Sequence, residues 1–195
     1  MKHITKERIY PTKEDVLQAQ DAIRLSDHIT RYQSIKRYCY GIVVDAACGV
    51  GYGSYLLSDN PDIKRVVGID ISMEAIDHAR KEFTTGKTTF LPCSIDKLDI
   101  PCDTLVSIET IEHVEDLDRY AAAVGRCAPN ILIVSFPEKK STHFNEFHRH
   151  DLKRQDVVDL FPRYCLVREL YANDVSTLVF VFAAVDANMP SHIFR

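Results

Sequence analysis

Two carboxylates and a run of glycines are the first residues in this chain whose types and spacing suggest chemistry. The segment VVDAACGVGYGS places Asp45 at the end of an apolar run and follows it with Gly49, Gly51 and Gly53. Glycines let backbone N–H groups approach a ligand closely and tolerate positive φ. Asp70 ends the next apolar run, VVGID, where a carboxylate can accept both hydroxyls of a ribose. A tight turn with nothing bound is the bland alternative for the glycines, and the second acid weighs against it. Further along, Glu109-Thr110-Ile111-Glu112-His113 gathers three groups able to bind a cation or a proton.

Three ligand classes compete for the glycine loop. A phosphate cradle of the G-x-x-x-x-G-K-[ST] kind needs a lysine that does not follow these glycines. A dinucleotide loop wants G-x-G-x-x-G, whereas GVGYGS gives G-x-G-x-G, and Asp45 beside a pyrophosphate would be like charge against like. An acid before the loop suits a cationic ligand, such as one bearing an ammonium group. S-adenosylmethionine joins a ribose, an ammonium and a sulfonium, and it is the ligand expected.

The elements that must position these residues follow from the pattern. Positions 12–38 read as helix, with Val16, Leu17, Ala19, Ile23, Leu25, Ile29 and Ile35 near one face. Strands are expected at 41–46, 65–70, 87–92, 103–109 and 130–136. Helices should fill the intervals, with Ser72 capping the one that begins SMEAIDHARKEF. The segment DLKRQDVVDLF is expected as a helix capped by Asp151. Two last strands, 165–172 and 176–185, are joined by an Asn173-Asp174 turn and must be antiparallel to each other. Alternating strands and helices imply a doubly wound α/β fold with a mostly parallel sheet covered on both faces. In such sheets ligands sit beyond the carboxyl ends of the strands, which is where Asp45, Asp70 and Glu109 fall.

Composition agrees with one ordinary domain: 195 residues, 46% hydrophobic and 27% charged. A net charge of −4 argues against a surface that grips nucleic acid all over. The six cysteines are scattered without a C-x-x-C pair, so a reducing compartment is expected. No apolar h-region opens the chain and no run approaches the roughly 20 residues of a membrane span. The expectation is a cytoplasmic protein with no membrane partner: residues 1–40 a helical lid within the same domain, residues 41–195 the main body.

VVDAACGVGYGS, VVGIDIS and LVSIETIEHVED, in this order, resemble the successive motifs of class I S-adenosylmethionine-dependent methyltransferases. The resemblance runs from about residue 28 onward and implies a seven-stranded sheet whose last strand inserts antiparallel. It places Asp45 near the cofactor's ammonium, directly or through water, and lines the methionine portion with Ala47, Gly49 and Gly51; Gly53 is assigned to helix packing. Asp70 takes the ribose hydroxyls, Ile71 lies against the adenine, and Ser94, Ile95 and Asp96 read its edge. Glu109 joins the cofactor-binding set. Ala47 departs from the commoner glycine, Ser94 from the commoner aspartate, and RCAPN lacks the usual Gly-Gly turn before the fifth strand.

The E-x-x-E-H string is similar to that of ubiquinone-pathway O-methyltransferases and RNA 3′-terminal 2′-O-methyltransferases. That likeness implies a divalent metal on Glu109, Glu112 and His113 with one of His143, His148 or His150. Metal-free members share the Glu-His pair, and no metal is the expectation, with His113 as general base and His148 as second candidate. STHFNEFHRHDL resembles an acceptor-pocket loop of small-molecule and sugar O-methyltransferases, which implies Phe144, Phe147 and His148 on the acceptor side. A helix with H-x-x-R-Y, here His28, Arg31 and Tyr32, implies a lid whose arginine reaches the cofactor's carboxylate. The expected function is O-methylation of a small molecule or saccharide. The alternatives are a metal-dependent RNA or nucleotide 2′-O-methyltransferase, using the basic cluster Lys139, Lys140, Arg149, Lys153 and Arg154, and a cofactor-binding protein without activity.

Overall fold

The computed structural model describes residues 9–18, 23–143, 145–172, 177–187, 190 and 193, without the side chains of 23, 24 and 26. Seven strands, β1 (Gly41–Ala46), β2 (Ile63–Asp70), β3 (Thr88–Pro92), β4 (Thr104–Ser107), β5 (Ile131–Pro137), β6 (Tyr164–Tyr171) and β7 (Thr177–Ala184), form one sheet. Their order is β3-β2-β1-β4-β5-β7-β6. The first five are parallel, and β7 runs antiparallel between β5 and β6. The expected strand positions and the inserted antiparallel strand are both found. Expected strand 103–109 is shorter, because Glu109 turns into positive φ (+49°) and leaves the ladder.

Central strands buried on both faces read as unbroken apolar runs, and β5 and β7 do so (ILIVSFP and TLVFVFAA). On one face Val44, Leu105, Leu132 and Phe180 pack against α5 (Leu117–Cys127) and α6 (Arg154–Asp159) through Tyr120, Val124 and Val157. On the other, Val43, Val66, Val106, Ile133 and Val181 meet Tyr32 and Ile35 of α2 (Ile23–Ile35) and Leu57 of α3 (Tyr52–Ser58). The helix α4 (Met73–Glu82) starts where Ser72 accepts from Ala75 N–H, the cap expected of it.

Two local expectations change. Helix 12–38 is described as α1 (Lys13–Leu17), whose C-cap is Gln18, and α2; residues 19–22 lie outside the described ones. Val16, Leu25, Ile29 and Ile35 are buried, but Leu17 is exposed. Asp151 does not cap α6. Lys153 occupies that position, and Asp151 accepts from Ser141 N (2.7 Å), Thr142 N (3.1 Å) and Thr142 Oγ1 (2.7 Å) instead. The carboxylate is satisfied by the preceding loop, so the helix starts later. The Asn173-Asp174 turn falls outside the described residues.

Candidate functional site

β1 is flanked by β2 and β4, so chain order reverses there and a crevice opens beyond the strands' carboxyl ends. A cleft of about 1030 Å³ occupies it. Ala47, Gly49, Asp70, Ile71, Ser94, Ile95, Asp96, Glu109, His113 and His148 all line it, as do Arg31 and Phe147. Phe144 lies outside the described residues.

Asp70 is buried at the tip of β2, its Oδ2 accepting from Gly49 N (3.0 Å) and its Oδ1 from Ser72 N (2.8 Å). Gly49 has φ +56° with nothing within 4 Å of where a Cβ would stand, which leaves its side of the loop open. Ile71 is 75% exposed at the rim, an apolar face for a planar ring. Asp96 accepts a short hydrogen bond from Ser94 Oγ, which lowers its pKa. Ala47 itself adopts φ +60°, a left-handed conformation that explains why glycine is commoner at this place.

Two expected contacts do not face the cleft. Asp45 is fully buried beneath it, with Oδ1 taking the Tyr32 hydroxyl (3.2 Å) and Oδ2 the Ser54 hydroxyl (2.6 Å). Burial pushes its pKa up to about 7, against the opposing pull of those two hydrogen bonds. Gly51 is turned inward, where a Cβ would stand 2.6 Å from that of Ala79. Gly53 does serve packing: the Tyr32 ring lies over it, its Cζ 2.1 Å from a Cβ placed there.

Glu109 follows β4 and is pinned by Ser135 of β5. Its N–H donates to Ser135 Oγ (2.7 Å), and that hydroxyl donates back to Oε1 (2.8 Å). Oε2 then faces Arg31, 3.8 Å away, while Arg31 also donates to Thr177 Oγ1 (3.4 Å). The sequence reading missed Ser135; a lone hydroxyl in an otherwise apolar buried strand was the available signal. It also missed Tyr52, whose hydroxyl meets His28 Nδ1 at 3.0 Å on the cleft wall.

At the far end of the cleft, Glu112, His113 and His148 bring three ligand atoms within 4.8 Å of one another. Glu109 is not among them, nor are His143 and His150. His150 Nε2 donates to the Val114 carbonyl (2.9 Å). His113 Nδ1 lies 3.1 Å from the Phe147 carbonyl, an acceptor only, so Nδ1 carries a proton and the neutral ring has its lone pair on Nε2. The His113 and His148 rings meet edge to face, with centroids 4.7 Å apart. Two of the five residues of the basic cluster face acids: Arg149 pairs with Glu115 (3.6 Å), and Arg154 with Glu138 (2.9 Å) and Glu169.

A reversed strand order over a glycine loop, with an acid at the tip of β2 and an antiparallel β7, is the class I methyltransferase fold. Residues 43–128 match the family model described as a methyltransferase domain, and the fold is that of class I methyltransferases. The chain is 27% identical over 147 residues to a probable S-adenosylmethionine-dependent methyltransferase of Mycolicibacterium smegmatis, covering 68% of this chain and 55% of that one. To a malonyl-[acyl-carrier protein] O-methyltransferase of Acetivibrio thermocellus it is 24% identical over 136 residues, covering 66% and 48%. The chain thus spans about half the length of the curated relatives it matches. Among solved structures, magnesium protoporphyrin IX methyltransferase of Synechocystis with bound S-adenosylmethionine superposes with a TM-score of 0.66 at 19% identity, covering 83% of this chain and 81% of that one.

Proposed function

We propose that the protein is an S-adenosylmethionine-dependent methyltransferase acting on a hydroxyl of a small molecule. The observation that carries the cofactor assignment is Asp70, buried and held by two backbone N–H groups beside the open side of Gly49. A carboxylate at the tip of β2 suits the ribose diol, Ile71 the adenine face, and Ser94 with Asp96 the adenine edge. With Asp45 enclosed by Tyr32 and Ser54, the carboxylate left for the ammonium is Glu109, and Arg31 beside it suits the carboxylate of the same amino-acid end. Bound S-adenosylmethionine supplies an electrophilic methyl on sulfur; the protein need only align an acceptor with it and exclude water.

His113 is the base of this reading. Its Nδ1 proton is committed to the Phe147 carbonyl, so Nε2 is the atom that can take a hydroxyl proton. Support for a small acceptor comes from the cleft charges: Arg31, Arg119 and Arg149 each face an acid (Glu109, Asp116 and Glu115), which leaves little to attract a polyphosphate. The named O-methyltransferase relative agrees with oxygen as the target. All six cysteines are free, and no helix among the described residues is long and apolar enough to cross a membrane; a cytoplasmic site of action fits both.

A second reading, metal-assisted methylation of an RNA or nucleotide hydroxyl, is favoured by the convergence of Glu112, His113 and His148. One carboxylate and two imidazoles suit a divalent ion of the Mn²⁺ type, which would polarise a hydroxyl. Calorimetry with S-adenosylmethionine and S-adenosylhomocysteine tests the cofactor; no heat with either at high protein concentration sinks the proposal. Mn²⁺ titration followed by electron paramagnetic resonance separates the two readings, since only the second expects the free-ion signal to fall.

A further inference from the structure

β4 ends at Ser107, and two residues later Glu109 turns to φ +49°, a left-handed conformation that residues other than glycine adopt rarely. One hydroxyl holds it there. Ser135 of β5 is fully buried, two residues beyond Ile133 and so on the face packed by α2, the helix that carries Arg31. Its Oγ accepts from the Glu109 N–H (2.7 Å), which can only donate, and donates to Glu109 Oε1 (2.8 Å), a carboxylate oxygen that can only accept. Both partners therefore fix the direction of the bonds. Backbone and side chain of Glu109 are pinned by the same atom, and it is Oε2 that faces Arg31.

Arg31 is anchored from the other side, its Nη2 donating to Thr177 Oγ1 of β7 (3.4 Å). Nη2 and Glu109 Oε2 stand 3.8 Å apart, beyond the roughly 2.7–2.9 Å of a closed N⁺–H···O⁻ bond. A guanidinium closes best on a carboxylate as a fork onto both oxygens, and Ser135 already holds Oε1. The two opposite charges thus line the cleft side by side without closing on each other.

We propose that Ser135 is the positioning residue of a receptor for an α-amino-acid end. By holding Glu109 it keeps the pair with Arg31 open, so that a zwitterion sets its ammonium against the acid and its carboxylate against the guanidinium. A closed ion pair would have to be broken before either group could be used. That the zwitterion is the amino-acid end of S-adenosylmethionine rests on the function proposed above.

The test compares calorimetric binding of S-adenosylhomocysteine with that of 5′-methylthioadenosine, which shares the adenosine and thioether but lacks the amino-acid end. Wild type should bind S-adenosylhomocysteine the more tightly. Ser135→Ala should weaken S-adenosylhomocysteine by about tenfold and leave 5′-methylthioadenosine within about twofold, the scale of one hydrogen bond to a charged group. Should the alanine variant not fold, Ser135→Cys, similar in size but a weak donor and acceptor, should show the same selective loss. Equal loss for both ligands, or no loss for either, overturns the proposal. A wild type that binds the two alike overturns it too, and leaves the adenosine part of the cofactor site standing. A wild type that binds neither ligand refutes the cofactor reading, and this proposal with it.

Discussion

Asp45→Asn gives the sharpest test of how the floor of the cleft is built. In the folded protein Asp45 is enclosed, receives the Tyr32 and Ser54 hydroxyls, and is pushed by burial up to about 7, against an ordinary 3.8. An acid whose folded pKa is raised favours the folded state while protonated. Its contribution is present below the unfolded pKa, declines as pH rises from about 4 to about 7, and is flat above. Three pKa units correspond to about 4 kcal/mol in total, and the part lost between pH 5 and pH 8 is about 2.5 kcal/mol. Asparagine keeps the shape, carries no charge to desolvate, and can accept from one hydroxyl while donating to the other. Urea unfolding at pH 5 and pH 8 should therefore find Asp45→Asn gaining on wild type by about 2.5 kcal/mol across that interval. Calorimetry on the same variant should find S-adenosylhomocysteine binding largely kept, because the side chain does not face the cleft. A stability difference that does not change with pH would refute the burial argument. A hundredfold loss of binding would return Asp45 to direct contact with the ligand.

Asp70→Ala should weaken S-adenosylhomocysteine binding by one to two orders of magnitude, through partial loss of two charge-assisted hydrogen bonds of about 1.5–3 kcal/mol each; an unchanged titration curve excludes Asp70 as the ribose group. Ala128, which ends α5 at φ +46°, holds a left-handed conformation that suits glycine, so Ala128→Gly should raise unfolding stability by about 0.5–1 kcal/mol; a lower melting temperature contradicts this. Gly53→Ala must displace the Tyr32 ring, costing about 1–3 kcal/mol and loosening α2. Faster amide exchange along that helix is the readout, and unaltered exchange counts against Tyr32 as its anchor.

Where the sequence was readable, a local pattern carried the information. Strands β1, β2, β5 and β7 are short β-branched or aromatic runs, and buried parallel strands need little else. The cleft residues at the tips of β1 and β2 follow from the rule that ligands gather there. Insertion of β7 between β5 and β6 was legible only by resemblance, since two antiparallel strands can join a sheet edge in either order. The enclosure of Asp45 was not legible because its partners, Tyr32 and Ser54, arrive from two helices whose docking no spacing encodes. Asp151 illustrates competition between equals: an aspartate before a helix and an aspartate after a polar loop have the same local signature, and here the loop offers three donors at once. Ser135 and Glu109 are joined across strands, so neither residue announces the other.

The place of β7 bears on how the chain comes to fold as it is made. β5 is paired with β4 on one edge and needs β7 for the other, β6 pairs with β7, and the ribosome delivers β7 after both. Until residues 177–184 emerge, β5 presents an unpaired edge and Phe136 lacks the Phe180 ring it meets at 5.1 Å. Thr177, which steadies Arg31, arrives in the same stretch. A nascent chain halted before β7 would therefore hold a glycine loop and Asp70 already in place, yet expose a sticky strand edge to whatever lies nearby.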